Sequence, residues 1–227
     1  KIQSDFSSVF DEIIVHTGQH FDQNMSETFF DQLDIPMPRY NLGVSGGSHG
    51  SMTGQMLEAI EKVLCTEKPD IVLTYGDTNS TLAGALAAAK LHIPVAHVES
   101  GLRSFNMRMP EEINRILADR VSSLLFCPTK ASVANLSQEG IRDGVWLVGD
   151  VMYDGALYYR DKTVGVCKVL ERLGVEEGAF VLATCHRAEN TDYPERLKEI
   201  VKSISNISSS LPVILPIHPR TKKIISR

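Results

Sequence analysis

Short apolar runs alternate along the chain with longer amphipathic or small-residue stretches, and glycine or polar turn residues punctuate the joins. Ile71-Val72-Leu73 stops at Gly76-Asp77-Thr78, a small-residue helical pattern follows from Thr81 to Leu91, and the apolar run Ile93 to Val98 stops at Glu99, ahead of Gly101. Strand, glycine turn, helix, strand is the signature of a βαβ unit, whose strands lie parallel and buried. The alternation continues on both sides, predicting strands at Glu12 to Val15, Tyr40 to Leu42, Ser123 to Cys127, Val145 to Val148, Phe180 to Thr184 and Val213 to Leu215. Helices are predicted over Phe21 to Leu33, from the Gly43 to Gly50 loop (capped by Ser48 or Ser51) to Cys65, and over Glu112 to Arg120. Further helices are predicted over Lys130 to Glu139, capped by Thr129 and ended by Gly140, over Val151 to Leu173 with a break near Thr163 to Val166, and over Pro194 to Ile207. The pattern restarts after that break, which divides the chain into an expected first domain, 1–162, and a second, 163–227. Recurring βα units make the class α/β, with parallel sheets.

Composition narrows the function. A hydrophobic content of 43% and a charged content of 22% are ordinary for a globular protein, and a net charge of −5 offers no general surface for nucleic acid. No run is long and apolar enough to span a bilayer, so no membrane partner is expected. Cys65, Cys127, Cys167 and Cys185 are far apart and lack the spacing of a zinc site, and Cys127, inside a predicted strand, reads as a reduced buried thiol. Reduced thiols without an export signal predict a cytoplasmic protein. Neither GxGxxG nor GxxxxGK[ST] occurs, which argues against a dinucleotide oxidoreductase and a P-loop enzyme.

In open parallel sheets, ligands bind outside the carboxyl ends of the strands. Asp77 and Glu99 are both expected at that edge, with Glu111 and Glu112 shortly after. Asp77 follows a strand and opens a helix, where free N–H groups favour an anion, but Asp is also a good helix cap. Glu99 ends a buried run, where a lone charge is costly without a partner, and Arg103 is the candidate for a structural ion pair. Pro110-Glu111-Glu112 suits a helix start on local grounds, and Glu111 with Arg115 is an i,i+4 pair. His186 and Arg187 end a strand of the second half, where such a pair can bind a diphosphate and protonate a leaving oxygen. His218, between prolines, is a weaker candidate.

VHTGQH, YGDTNST, HVESGLRS, MPEEINR, VGDVMYD and THRAEN, in this order, resemble the non-hydrolysing UDP-N-acetylglucosamine 2-epimerases over nearly the whole chain. The resemblance implies two Rossmann-like domains, as in GT-B glycosyltransferases, with the sugar nucleotide in the cleft between them. It implies elimination of UDP with loss of the C2 proton, a 2-acetamidoglucal held with UDP, and re-addition after protonation of C2 from the other face. Asp77, Glu99 and Glu111 match the family's acidic catalytic positions, and His186 its diphosphate-side histidine. Arg103, Arg115, Arg187, Glu189, Asn190 and His218 are expected to contact the UDP-sugar. No metal or other cofactor is implied, because nothing is oxidised overall, and related enzymes suggest a homodimer.

Relative to the family's pattern, the opening strand with its basic Gly-Thr-Arg-Pro loop and the later Asp-Ser-Gly-Gly and Gln-Glu-Glu segments are expected to lie outside this chain. The Gln19 to Met25 segment is shorter than the one near which some members bind a second, activating substrate molecule. The phrase SFNMRMPEEINRIL is also typical of relatives acting on UDP-2,3-diacetamido-2,3-dideoxyglucuronic acid. A hydrolysing epimerase and an inactive UDP-sugar-binding module are the remaining alternatives.

Overall fold

A computed structural model describes residues 9–19, 30, 33, 35–218, 221, 222 and 224. The expected helix from Phe21 to Leu33 falls almost wholly outside them. The chain divides into two compact units, 1–155 and 156–227.

The first unit opens with a parallel pair, β1 (Val15–His16) and β2 (Tyr40–Asn41). Helix α1 (His49–Glu67) follows, and of its two candidate caps Ser48 holds the place, its side chain accepting the Ser51 N–H. Then come β3 (Val72–Tyr75), α2 (Asn79–Lys90), β4 (Val95–Val98), α3 (Pro110–Val121), β5 (Leu124–Cys127), α4 (Lys130–Gln138) and β6 (Val145–Leu147). The last four strands form one parallel sheet in the order β3-β4-β5-β6, as the apolar runs require.

Burial follows from side-chain size. Every residue of β4 is buried, His97 included. Helix α2 packs against both α1 and α3. It can do so because Ala83, Ala85, Ala87 and Ala88 let neighbouring backbones approach, and all four are fully buried. Met56, Ile60 and Leu64 of α1, Val95 of β4 and Ala118 of α3 complete that core. A smaller cluster joins Leu125 and Cys127 of β5 to Leu136 of α4. Cys127 is the buried thiol expected of it, whereas Cys65 and Cys167 are exposed.

Helix α5 (Val151–Thr163) contains the division between the units, and the expected break in the helical pattern lies between it and α6 (Val169–Leu173). The second unit continues with β7 (Val181–Leu182), α7 (Ala188–Thr191), α8 (Pro194–Ser208) and β8 (Val213–Ile214), with β7 and β8 parallel. The four-residue α7 has no counterpart in the sequence pattern, being too short to carry a hydrophobic period. No helix among the described residues is long and apolar enough to cross a membrane.

Candidate active site

The carboxyl edge of β3 and β4 is built from two loops that meet. After Tyr75 the chain turns at Gly76, with φ +66°, a conformation glycine adopts without a Cβ penalty. The Gly76 N–H donates to Val98 O at 3.1 Å, which locks the turn onto β4. Glu99 itself has φ +72°, a left-handed conformation rare for glutamate and of the kind that clusters at functional sites. It brings the carboxylate back over the first loop: a Cβ built on Gly76 would lie 3.9 Å from Glu99 Oε2.

Asp77 is free of the bland role open to it. Thr78, not Asp77, caps α2, accepting the Thr81 N–H at 3.4 Å. The Asp77 carboxylate instead pairs with the Arg115 guanidinium, and Asn114 donates to the Asp77 carbonyl at 2.9 Å. The expected Glu111–Arg115 pair does not form. Arg115 turns to Asp77 and, at 3.4 Å, to Glu112, because its side chain is largely buried while Glu111 faces out. Among the described residues Glu111 makes no hydrogen bond or ion pair, which leaves its carboxylate at liberty. Glu112, by contrast, is a structural acid. It is 1% exposed and accepts the N–H groups of Ser104 (2.9 Å) and Phe105 (2.8 Å). Burial alone would raise its proton affinity, but those two N–H groups, the Ser104 hydroxyl and Arg115 hold it below the usual carboxylate range.

Glu99 is shifted the other way. Burial first, then the nearby charges of Asp77 and Asp150, push its carboxyl above the usual range, against the weaker pull of His97 and Arg115. Asp150, within the VGDVMYD motif, also accepts the Met152 N–H at 2.8 Å at the start of α5.

Arg103 does not pair with Glu99. It binds Asp119 at 2.8 Å and Glu139 at 2.7 and 2.9 Å, and its side chain is 1% exposed, so it acts through the residues it holds and not by touching a ligand. Glu99 is therefore a half-buried carboxyl without an ion pair among the described residues.

In the second unit, His186 and His218 stack with ring centroids 5.5 Å apart and an interplanar angle of 29°. Thr221, 2% exposed, donates its hydroxyl to Cys185 O at 2.6 Å and ties the two segments together. Arg187 is exposed, and its carbonyl accepts the Asn190 N–H at 3.0 Å. The Glu189 side chain lies outside the described residues. Among those residues no group of His, Cys, Asp and Glu could hold a metal ion.

A pair of carboxylates at adjacent strand ends, one of them half-buried with raised proton affinity, is a constellation for moving a proton. Residues 4–227 match the family model described as UDP-N-acetylglucosamine 2-epimerase. This chain belongs to that family. It is 58% identical over 220 residues to the UDP-2,3-diacetamido-2,3-dideoxy-D-glucuronate 2-epimerase of Pseudomonas aeruginosa, covering 95% of this chain and 61% of that protein. It is 50% identical over 216 residues to the UDP-N-acetylglucosamine 2-epimerase of Methanococcus maripaludis, covering 92% of this chain and 59% of that one. Among solved structures, the Methanocaldococcus jannaschii UDP-GlcNAc 2-epimerase in complex with UDP-GlcNAc and UDP superposes with a TM-score of 0.90 at 46% identity, over 99% of this chain and 63% of that one. The chain thus spans about three fifths of the length of the relatives it matches.

Proposed function

We propose that the complete protein is an isomerase that inverts C2 of UDP-N-acetylglucosamine to give UDP-N-acetylmannosamine. One observation carries the reading: Glu99, half-buried and without an ion pair among the described residues, stands over the Gly76–Asp77 turn with its proton affinity raised. An acid–base group works best when its proton affinity lies near the working pH, and burial moves a glutamate in that direction. A carboxylate takes the C2 proton as the C1–O bond breaks. The bonding pair leaves with UDP, and a C1–C2 double bond remains in a 2-acetamidoglucal. Return of a proton to the opposite face of C2 and attack of a UDP oxygen on C1 complete the inversion with no net redox change. Asp77, Glu99 and Glu111 are the carboxylates proposed for these transfers. His186 is proposed for the diphosphate, where an imidazolium offsets the charge developing on the departing oxygen. Arg115, Arg187, Glu189, Asn190 and His218 remain proposed substrate contacts, and a cytoplasmic homodimer is the proposed working form.

A second reading keeps the chemistry and changes the sugar. The 58% identity to the UDP-2,3-diacetamido-2,3-dideoxy-D-glucuronate 2-epimerase favours a 2,3-diacetamido glucuronate. One experiment tests both. The complete protein is incubated in D₂O with each UDP-sugar, and the products are resolved by NMR. Inversion of UDP-N-acetylglucosamine with deuterium at C2 is expected. Inversion of the diacetamido glucuronate alone would transfer the assignment to the second sugar, and a product keeping its C2 hydrogen would overturn the elimination mechanism.

A further inference from the structure

Behind the two acid loops lies a polar pair that the proposed chemistry does not use. His97, in the middle of β4, and Asp119, on α3, both have side chains 0% exposed. The His97 Nδ1 lies 2.8 Å from Asp119 Oδ1, and its Nε2 lies 2.7 Å from Gly76 O. A carbonyl only accepts. Asp119 Oδ2 accepts the Gly101 N–H at 3.1 Å and Arg103 at 2.8 Å. The His97 ring therefore donates from Nε2 to the Gly76 carbonyl and bridges it, through Nδ1 and Asp119, to the Gly101 N–H.

The two ends of this arrangement fall beside the two acids. Gly76 immediately precedes Asp77, and Gly101 is the second residue after Glu99. Gly101 cannot move aside: its φ is +76°, and a Cβ there would come within 2.3 Å of Ser132 O. Helix α3 meanwhile reaches Asp77 by a second route, through Asn114 and Arg115. Replacing a buried ion pair by well-packed apolar residues is often neutral or stabilising, so fold stability is a poor explanation for charged groups at the centre of a sheet. A left-handed glutamate likewise persists only where its surroundings over-determine it.

We propose that His97 and Asp119 are positioning residues that hold the Asp77 and Glu99 loops at a fixed separation for proton transfer. The proposal rests on the epimerase reading for its activity readout, and on ring protonation for one that is independent of it. In the complete protein, His97→Asn keeps a donor toward Asp119 and loses the bond to Gly76, while His97→Gln does the reverse. Each is expected to lower kcat about a hundredfold, the cost of misplacing reacting groups by about an ångström, with KM within about threefold of wild type. In a double-mutant cycle, His97→Gln, which loses the Asp119 bond beside Gly101, in a Glu99→Gln background is expected to cost less than about threefold more, because its effect passes through Glu99. Should one His97 variant fail to fold, the other is read in the same way. Nitrogen-15 NMR of the histidine rings, with the His97 signals assigned by their loss in the variants, is expected to show a hydrogen-bonded proton on Nε2. A near-normal rate in either variant, losses that multiply across the cycle, or a His97 ring with no proton on Nε2 would overturn the proposal. A hydrogen-bonded Nε2 proton in a protein that turns over no UDP-sugar would support the clamp and count against the epimerase reading instead.

Discussion

At the scale of single residues, neighbouring acids in one sequence motif have opposite fates. Glu111 and Glu112 are indistinguishable as helix-start acids, yet only Glu112 turns into the protein and accepts two backbone N–H groups. Glu112→Gln is expected to destabilise by about 2 kcal/mol, the scale of a hydrogen-bonded buried charge left with mismatched partners. Its proton affinity is lowered by folding, so its stabilising contribution is present above the unfolded-state pKa and lost as pH falls through the folded one. Urea melts at neutral and acid pH will therefore find the wild-type advantage over Glu112→Gln shrinking in acid. Glu111→Gln is expected to leave the melting temperature unchanged while lowering kcat about a hundredfold or more. A Glu111 variant that lost stability and kept its rate would return that residue to the helix-start role.

Glu99 carries the opposite sign. Its folded-state proton affinity is raised, so its charge opposes folding at neutral pH, and the penalty vanishes once the pH is below the unfolded-state pKa. Glu99→Gln, neutral at every pH, is expected to melt at a higher temperature than wild type at pH 7, to match it in acid, and to lose activity by orders of magnitude. Calorimetric scans at both pH values, with an assay of the complete protein, check this exchange of stability for function.

Among elements, the strands and long helices follow the sequence pattern closely, because hydrophobic period is a local property. Most of their ends move by a residue or two: β3 begins at Val72 and runs on to Tyr75, where the pattern suggested Ile71 to Leu73, while β1 starts at Val15, three residues after the expected Glu12. What the pattern hides is the fit between elements. Gly101 and Gly140 both have positive φ, but Gly101 is jammed against Ser132 O whereas Gly140 has open space around its missing Cβ. Gly140→Ala is expected to cost about 1–2 kcal/mol, the intrinsic strain of a left-handed alanine. Gly101→Ala adds a backbone clash and is expected to cost clearly more and to separate α4 from the Glu99 loop. Equal losses in denaturant titration would mean that φ alone matters at Gly101.

For the molecule as a whole, apolar burial is uneven. In residues 1–155 it joins α1, α2, α3 and the sheet, whereas among the described residues of 156–227 Leu197 is the one buried hydrophobic side chain. Amide protection reflects such differences in local packing. Hydrogen exchange on this chain is expected to protect β4, α2 and the buried face of α1 longest, and β7, β8 and α8 much less. Uniform protection across 1–155 and 156–227 would show that the second unit draws stability from elsewhere.

The residue pattern along the chain is enough to place the α/β class, the parallel strands, the glycine turns and the acids at the ends of β3 and β4. All of these rest on periodicity, backbone conformation and chain order, which are local. The ordered motifs carried the family as well. Which charge meets which emerges only once the elements pack. Arg103 passed over Glu99 for Asp119 and Glu139, Arg115 passed over Glu111 for Asp77 and Glu112, and Thr78 relieved Asp77 of the helix cap. His97 read as one more residue in an apolar run until a carboxylate from α3 and a carbonyl from the neighbouring loop closed on its ring. The reason is physical: an ion pair is chosen by distance and burial across elements far apart in the chain, and neither quantity is written in the spacing of residues along it.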